Sequence, residues 1–370
     1  MGQTPFHLAA ENPRCLGVLI RHSESSTLIN RPDNRGQTPL AYAVECSLSC
    51  CRNGTRRRKC SRCNCADCAL ILLKADCSVP YDRFWGIILS RSSERCERRY
   101  IAHLANRRER LKQLALELLT DSEAQRLGLR DTRMLDFHAE ETVKLIQQQG
   151  VRIPDALAIT QGEYRPIYHE RPQPHHADLL FRSGFRDVDI GHDHETTPLA
   201  RASSDLPYCQ WLIEHGADPF RRLSGMPASL GVCSAYPIFR KLGWKISNCP
   251  GKPPKPHVMR SIQALNATIL PVDIADNCQC RCSPGGCSPF TYMLQGLWYR
   301  GKRHPKSIAS WFCWYLESFE ADLRPTHHVA AIRSLTFNTL DILHTCCYPG
   351  PEKACGHSPD DVHDVEEEEE

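Results

Sequence analysis

The sequence predicts an all-α chain: an interrupted array of paired antiparallel helices, followed by a cysteine-rich α-helical C-terminal part. Three observations predict it. A short Thr-Pro string recurs at helix starts, and glycines recur just past helix ends at nearly the same interval. Between them, apolar residues fall at the three-and-four spacing of amphipathic helices.

The string Gly2-Gln3-Thr4-Pro5-Phe6-His7-Leu8-Ala9-Ala10 returns as Gly36-Gln37-Thr38-Pro39-Leu40-Ala41-Tyr42-Ala43, 34 residues later. A third copy is Thr197-Pro198-Leu199-Ala200-Arg201-Ala202. Threonine is a good N-cap, and proline suits the first helical position, where its missing N–H costs nothing. The following Leu or Phe and the small alanines then form a face that packs on the next helix. The glycine signal runs from Leu145 to Gly150, Leu180 to Gly184 and Leu212 to Gly216, with a shorter step at Leu242-Gly243. Glycine past a helix end supplies the left-handed conformation that other residues adopt at a cost.

These residues resemble the ankyrin repeat, whose signature is T-P-L-H-x-A at a period of about 33. Thr4, Pro5, His7, Leu8 and Ala9 match it, while the second copy has Ala41 in place of the histidine. Thr38, Pro39, Thr197 and Pro198 mark further repeats, and Gly216-Ala217-Asp218-Pro219 is what an ankyrin repeat shows after its second helix. The resemblance implies an ankyrin-repeat solenoid. Across most of its length the chain also resembles a family of large fungal ankyrin-repeat proteins. That likeness rests on Arg107-Arg108-Glu109-Arg110-Leu111, the repeat from Gly184 to Gly216, the Cys278–Cys287 loop, and Leu343-His344-Thr345-Cys346-Cys347. It implies an architecture and a binding role, and no reaction.

In chain order, residues 1–80 read as two repeats, the second interrupted by a Cys/Arg-rich insert at about 50–68. Residues 81–130 form a helical connector, with one long helix from Ser92 to about Leu119 and Ile101, Leu104, Leu111, Leu114 and Leu118 at helical spacing. Residues 131–249 hold degenerate repeats, opened by a helix near Thr132 to Gln149 that Asp131 is expected to cap. Residues 250–257 are a Pro-rich linker. Residues 258–365 are a Cys-rich helical region with helices near Lys306 to Leu323 and Thr326 to Leu343. Residues 366–370, all glutamate, form an acidic tail. Met1 stands at the start of a repeat with no capping helix before it, so the native start is expected upstream.

The 370 residues carry a net charge of only +3, which gives no footing for a nucleic-acid or membrane partner from bulk electrostatics. No apolar run reaches the ~18–20 residues that span a bilayer, and Met1 to Ile20 lacks the form of a signal peptide. The expected location is intracellular, cytoplasmic or nuclear. There the 21 cysteines, an odd number, are expected as metal ligands or buried thiols, not disulfides.

Two clusters have spacing that suits metal. Cys60, Cys63, Cys65 and Cys68 form two C-x-x-C steps, but only one residue separates them, too little chain to wrap four thiolates round one ion. The second set is Cys278, Cys280, Cys282 and Cys287, with His344, Cys346 and Cys347 after the last predicted helices. A Pro-Gly-Gly turn can fold that loop back, and any four of the seven would satisfy a structural zinc. The alternative is a set of buried small hydrophobes. The basic residues of the long helix, Arg95 to Lys112, read as a solvated face partly neutralised by pairs such as Glu94–Arg98, in preference to a phosphate-binding surface. His175-His176 and His327-His328 have no metal-binding frame around them. No Walker A string, nucleophile elbow or dinucleotide fingerprint stands in a suitable context. The expected function is a non-catalytic protein–protein interaction scaffold that binds partners through its repeat surface. The alternative is a zinc-dependent regulatory or nucleic-acid-binding module built on the Cys-rich region.

Overall fold

The computed structural model describes residues 2–22, 27–44, 65–78, 94–159, 166–191, 197–223, 233–247, 254–276, 285–301 and 305–340. Among these residues the chain is all-α, with no strand beyond an isolated bridge between Arg222 and Cys233. It divides into two compact units, Met1–Ile190 and Gly191–Glu370.

The first unit opens with α1 (Pro5–Leu8), α2 (Pro13–His22) and α3 (Thr27–Asn30). Thr4 is extended and Pro5 sits in the first turn of α1. The Thr4 N–H donates to Nδ1 of His7 (3.0 Å), satisfying a backbone donor that a helix start otherwise orphans. With Nδ1 accepting, the His7 proton sits on Nε2 and is donated to the Gln37 carbonyl (2.8 Å). One imidazole therefore fastens the start of α1 to the segment just before Thr38. At the second copy, Thr38 Oγ1 accepts from the Ala41 N–H (3.3 Å), and residues 39–44 are helical.

Helices α4 (Cys65–Lys74) and α5 (Glu94–Leu118) are the most extensively packed pair of this unit. Tyr100, Ile101, Leu104, Leu111 and Ala115 are buried along α5. The polar contacts fix the direction. Asp67, near the start of α4, takes Arg95 and Arg99, while Leu73 and Asp76, at its end, take Arg107 and Arg110. The two helices therefore run parallel. The solvated face expected from sequence holds for Arg95, Arg98 and Arg110, which are exposed, but not for the whole basic set. Arg107, Arg108 and Lys112 are all buried. Arg107 donates to the Leu73 carbonyl (3.1 Å), and Lys112 to the carbonyls of Asp131 and Arg133. These cations satisfy backbone oxygens, a use that the charge pattern alone does not disclose.

After α6 (Asp121–Arg126) the helix expected from Thr132 begins only at Ala139, as α7 (Ala139–Gln148). Asp131 does not cap it; His138 is the N-cap residue. The reason is tertiary. Asp131 binds Arg133 (2.7 Å), and the Met134 N–H donates to the Gly184 carbonyl (2.9 Å), holding this stretch open against a neighbouring loop. The helix ends at Gly150, with φ +79°, as the glycine signal predicts. A 3-10 turn (Ile167–Glu170) and α8 (Pro174–Arg182) follow, closed by Gly184 at φ +98°.

The second unit contains α9 (Pro198–Arg201), α10 (Leu206–Glu214), α11 (Ala235–Ser247), α12 (Pro256–Ile269), α13 (Pro289–Gly301), α14 (Pro305–Ser318), a 3-10 turn (Glu320–Asp322) and α15 (Pro325–Thr339). Thr197 Oγ1 caps α9 by accepting from the Ala200 N–H (3.1 Å), and Gly216 ends α10 at φ +102°. Pro256, taken from sequence as part of the linker, is instead the first residue of α12. The helix expected over 306–323 stops at Ser318, with Leu323 extended just ahead of Pro325. Gly243 does not terminate a helix. It lies inside α11, where α11 crosses α13, the closest helix pair of the unit.

Candidate functional site

Thr4, Pro5, Thr38, Pro39, Thr197 and Pro198 stand at helix starts and Gly216 past a helix end, and a further proline-led turn lies at Pro166. Pro166 is the N-cap residue of the Ile167–Glu170 turn, with His169 three residues on, as His7 is three residues on from Thr4. Its Nε2–H donates to the Ile190 carbonyl (2.8 Å), the same kind of bond that His7 makes to Gln37. The turn and α8, ended by Gly184, thus follow the same order as α9 and α10, ended by Gly216. A buried histidine a short step after a proline, 31 residues before Thr197, is the signal that could have found it.

Of the expected zinc ligands, Cys278, Cys280, Cys282, His344, Cys346 and Cys347 lie outside the described residues, as do Cys60 and Cys63. Cys287 is buried. Its N–H donates to Asp276 Oδ1 (2.6 Å), and the Asp276 N–H donates to its carbonyl (2.9 Å). Tyr292 donates to the other carboxylate oxygen (3.2 Å). Residues 276 and 287 are therefore tied together. Gly286 makes this approach possible. It has φ +95°, and a Cβ there would meet the Asp276 backbone.

The thiols with a resolved shift are poor nucleophiles. Burial pushes Cys77 up to about 11, although Arg107 beside it opposes the shift, and pushes Cys233 to about 11 as well. A reactive cysteine requires the opposite displacement.

Two polar clusters remain in the first unit. A cavity of about 260 Å³ is lined by Lys112, Arg126, Arg133, Asp136 and Asp187, among others. Burial pushes the Asp187 carboxyl up to about 6, the Asp136 charge adds to the shift, and Arg133, 3.0 Å away, opposes it. Asp136 is itself occupied, accepting the Ile167 N–H (3.1 Å) at the start of the 3-10 turn.

The second cluster joins α5 to the first turn of α8. Glu97 Oε1 lies 3.0 Å from Nε2 of His176, and Oε2 lies 4.0 Å from Nε2 of His175. The two imidazoles are neighbours, with ring centroids 3.7 Å apart. No local sequence frame announces this site, because its carboxylate comes from a helix far earlier in the chain.

Among the described residues, no helix is long and apolar enough to cross a membrane. No protein-family model matches the chain, and no curated protein matches it.

Proposed function

We propose that the chain is an ankyrin-repeat scaffold that binds other proteins and catalyses no reaction. The observation that carries this reading is the bond from His7 Nε2–H to the Gln37 carbonyl, which joins the start of α1 to the segment just before Thr38. Proline-led starts, each followed by a helix that a left-handed glycine ends, support it further. In such arrays the turns and first helices form an extended recognition surface. Here that surface carries Leu8, 71% exposed on α1, and the exposed turn residues Asn34 and Arg35. An outward leucine flanked by a basic turn suits a protein surface with an apolar centre and an acidic rim. The raised thiol values of Cys77 and Cys233 are in keeping with a non-catalytic role.

The test uses photo-crosslinking amino acids placed singly at Leu8, Arg35 and Glu117 in the full chain, expressed in its native cells. The expected result is one set of proteins captured at positions 8 and 35 and absent from position 117, which is exposed on α5. Capture that is the same at all three positions, or absent at all three, rejects the repeat surface as the binding face.

A further inference from the structure

We infer that Glu97, His175 and His176 form a binding site for a divalent transition-metal ion of the zinc class, tying α5 to α8. One ligand atom from each residue falls within 4.8 Å of the other two. Metal–ligand bonds of ~2.0–2.2 Å hold such atoms at most about 4 Å apart, so a contraction of several tenths of an ångström closes the set.

The local structure builds the site. Pro174 occupies the first turn of α8, directly before the two histidines. Their rings lie side by side, both with Nε2 toward a single carboxylate on α5. Glu97 and His176 are buried, with side chains 6% and 2% exposed, whereas the His175 side chain is 37% exposed. The site is thus closed on the protein side and open at the His175 edge, where water can complete the coordination.

A simple ion pair accounts for these atoms less well. The approach of His176 Nε2 to Glu97 is short, yet neither that nitrogen nor Glu97 Oε2 has a hydrogen-bond partner, and both are buried. Lone pairs that converge without a proton between them are what a cation satisfies. The second imidazole stands 4.0 Å from Oε2, the outer limit of an ion pair, and supplies the third ligand of a metal site. Two imidazole nitrogens with one carboxylate oxygen suit zinc, and also cobalt or nickel. Calcium and magnesium prefer oxygen ligands throughout.

The test titrates Co²⁺ into the full, reduced chain after treatment with a chelator. The main variant is His175→Ala, because that side chain is part-exposed and its loss spares the core; Glu97→Gln is the second. The wild type is expected to bind one equivalent that His175→Ala binds at least tenfold more weakly, since even loss of a group that only supports a metal ligand costs about 10–100-fold. That equivalent shows visible cobalt d–d bands without the near-ultraviolet thiolate charge-transfer band. Zn²⁺ is expected to raise the Tm of the wild type and not of His175→Ala. Equal uptake and affinity in wild type and His175→Ala, a purely thiolate spectrum, or no uptake by the wild type overturns the site.

Discussion

Gly243 of α11 and Gly296 of α13 face each other's helix backbone where the two helices cross. A Cβ on Gly243 would lie 2.9 Å from the Leu297 nitrogen and closer still to the Met293 carbonyl oxygen. One on Gly296 would lie 3.0 Å from the Trp244 nitrogen and closer still to the Arg240 carbonyl oxygen. The relationship is reciprocal, each glycine resting against one turn of the opposite helix. Ordinary side chains keep helix axes 8–10 Å apart, and the absence of Cβ at both positions removes that spacer.

Gly243→Ala and Gly296→Ala are therefore each expected to destabilise the protein by about 3 kcal/mol, as overpacking against backbone does. Helix propensity alone gives the opposite sign, a gain of ~0.5–1 kcal/mol for alanine within a helix. Urea denaturation of the full chain separates the two. A stability gain at either position would show that the helices do not meet there.

Leu199 follows the Thr197-Pro198 helix start and is fully buried, as Phe6 is buried at the matching place after Thr4-Pro5, whereas Leu8, two residues further on, is largely exposed. Leu199→Ala is expected to cost about 2–5 kcal/mol, and Leu8→Ala less than about 0.5 kcal/mol. Equal effects in thermal or urea unfolding would place Leu199 on a surface and change the register of that hairpin.

The helix starts at Thr4, Thr38 and Thr197 are legible in the sequence because capping is local: the hydroxyls of Thr38 and Thr197, the His7 ring that takes the Thr4 N–H, and the prolines all lie within four residues. The ends at Gly150, Gly184 and Gly216 are legible for the same reason. Gly243 is misread because a glycine after leucine looks alike whether it ends a helix or receives another, and only Met293 and Leu297 distinguish the cases. Asp131 is misread because a good cap residue is held by Arg133 instead. Buried Arg107 and Lys112 look like surface charge until their carbonyl partners are known. The Glu97 cluster draws on two helices far apart in the chain, so no window of sequence contains it.

Asp187 supplies a stability term that runs against the usual acid denaturation. Burial, with the Asp136 charge adding to it, raises its carboxyl from 3.8 to about 6, so the folded state holds the proton more tightly than the unfolded chain does. Its contribution is fully present below pH 3.8 and is lost as pH rises through about 6, amounting to about 2–3 kcal/mol. Asp187→Asn cannot ionise. Relative to wild type, it is expected to gain stability between pH 4 and pH 7, despite a weaker bond to Arg133. A difference between the two proteins that stays constant across that range, followed by denaturant midpoints, would show that Asp187 ionises freely.

His327 has the opposite sign over a similar range. Its Nδ1 accepts the Arg324 N–H (3.1 Å), the bond that opens α15 as His7 opens α1. Burial, followed by the charges of Arg324 and His328, lowers the imidazole from 6.5 to about 4, while Asp273 opposes the shift. The neutral ring is the one the fold requires, since protonation at Nδ1 removes the acceptor. Stability from this residue is fully present above pH 6.5 and is lost as pH falls through about 4, with a total near 3 kcal/mol by order of magnitude. His327→Gln is the informative variant, because glutamine at this position of a capping box still accepts the N-cap N–H and cannot take up a proton in this range. Replacing a ring that sits 4.9 Å from Phe290 costs some packing, so the variant is expected to be about 1 kcal/mol less stable at pH 7.5. That deficit should shrink and then reverse as pH falls from 6.5 to 4. The measurement is the difference in unfolding free energy between the two proteins at several pH values. If the curves stay parallel down to pH 4, the imidazole is not held neutral by the fold and the capping role of His327 fails with it.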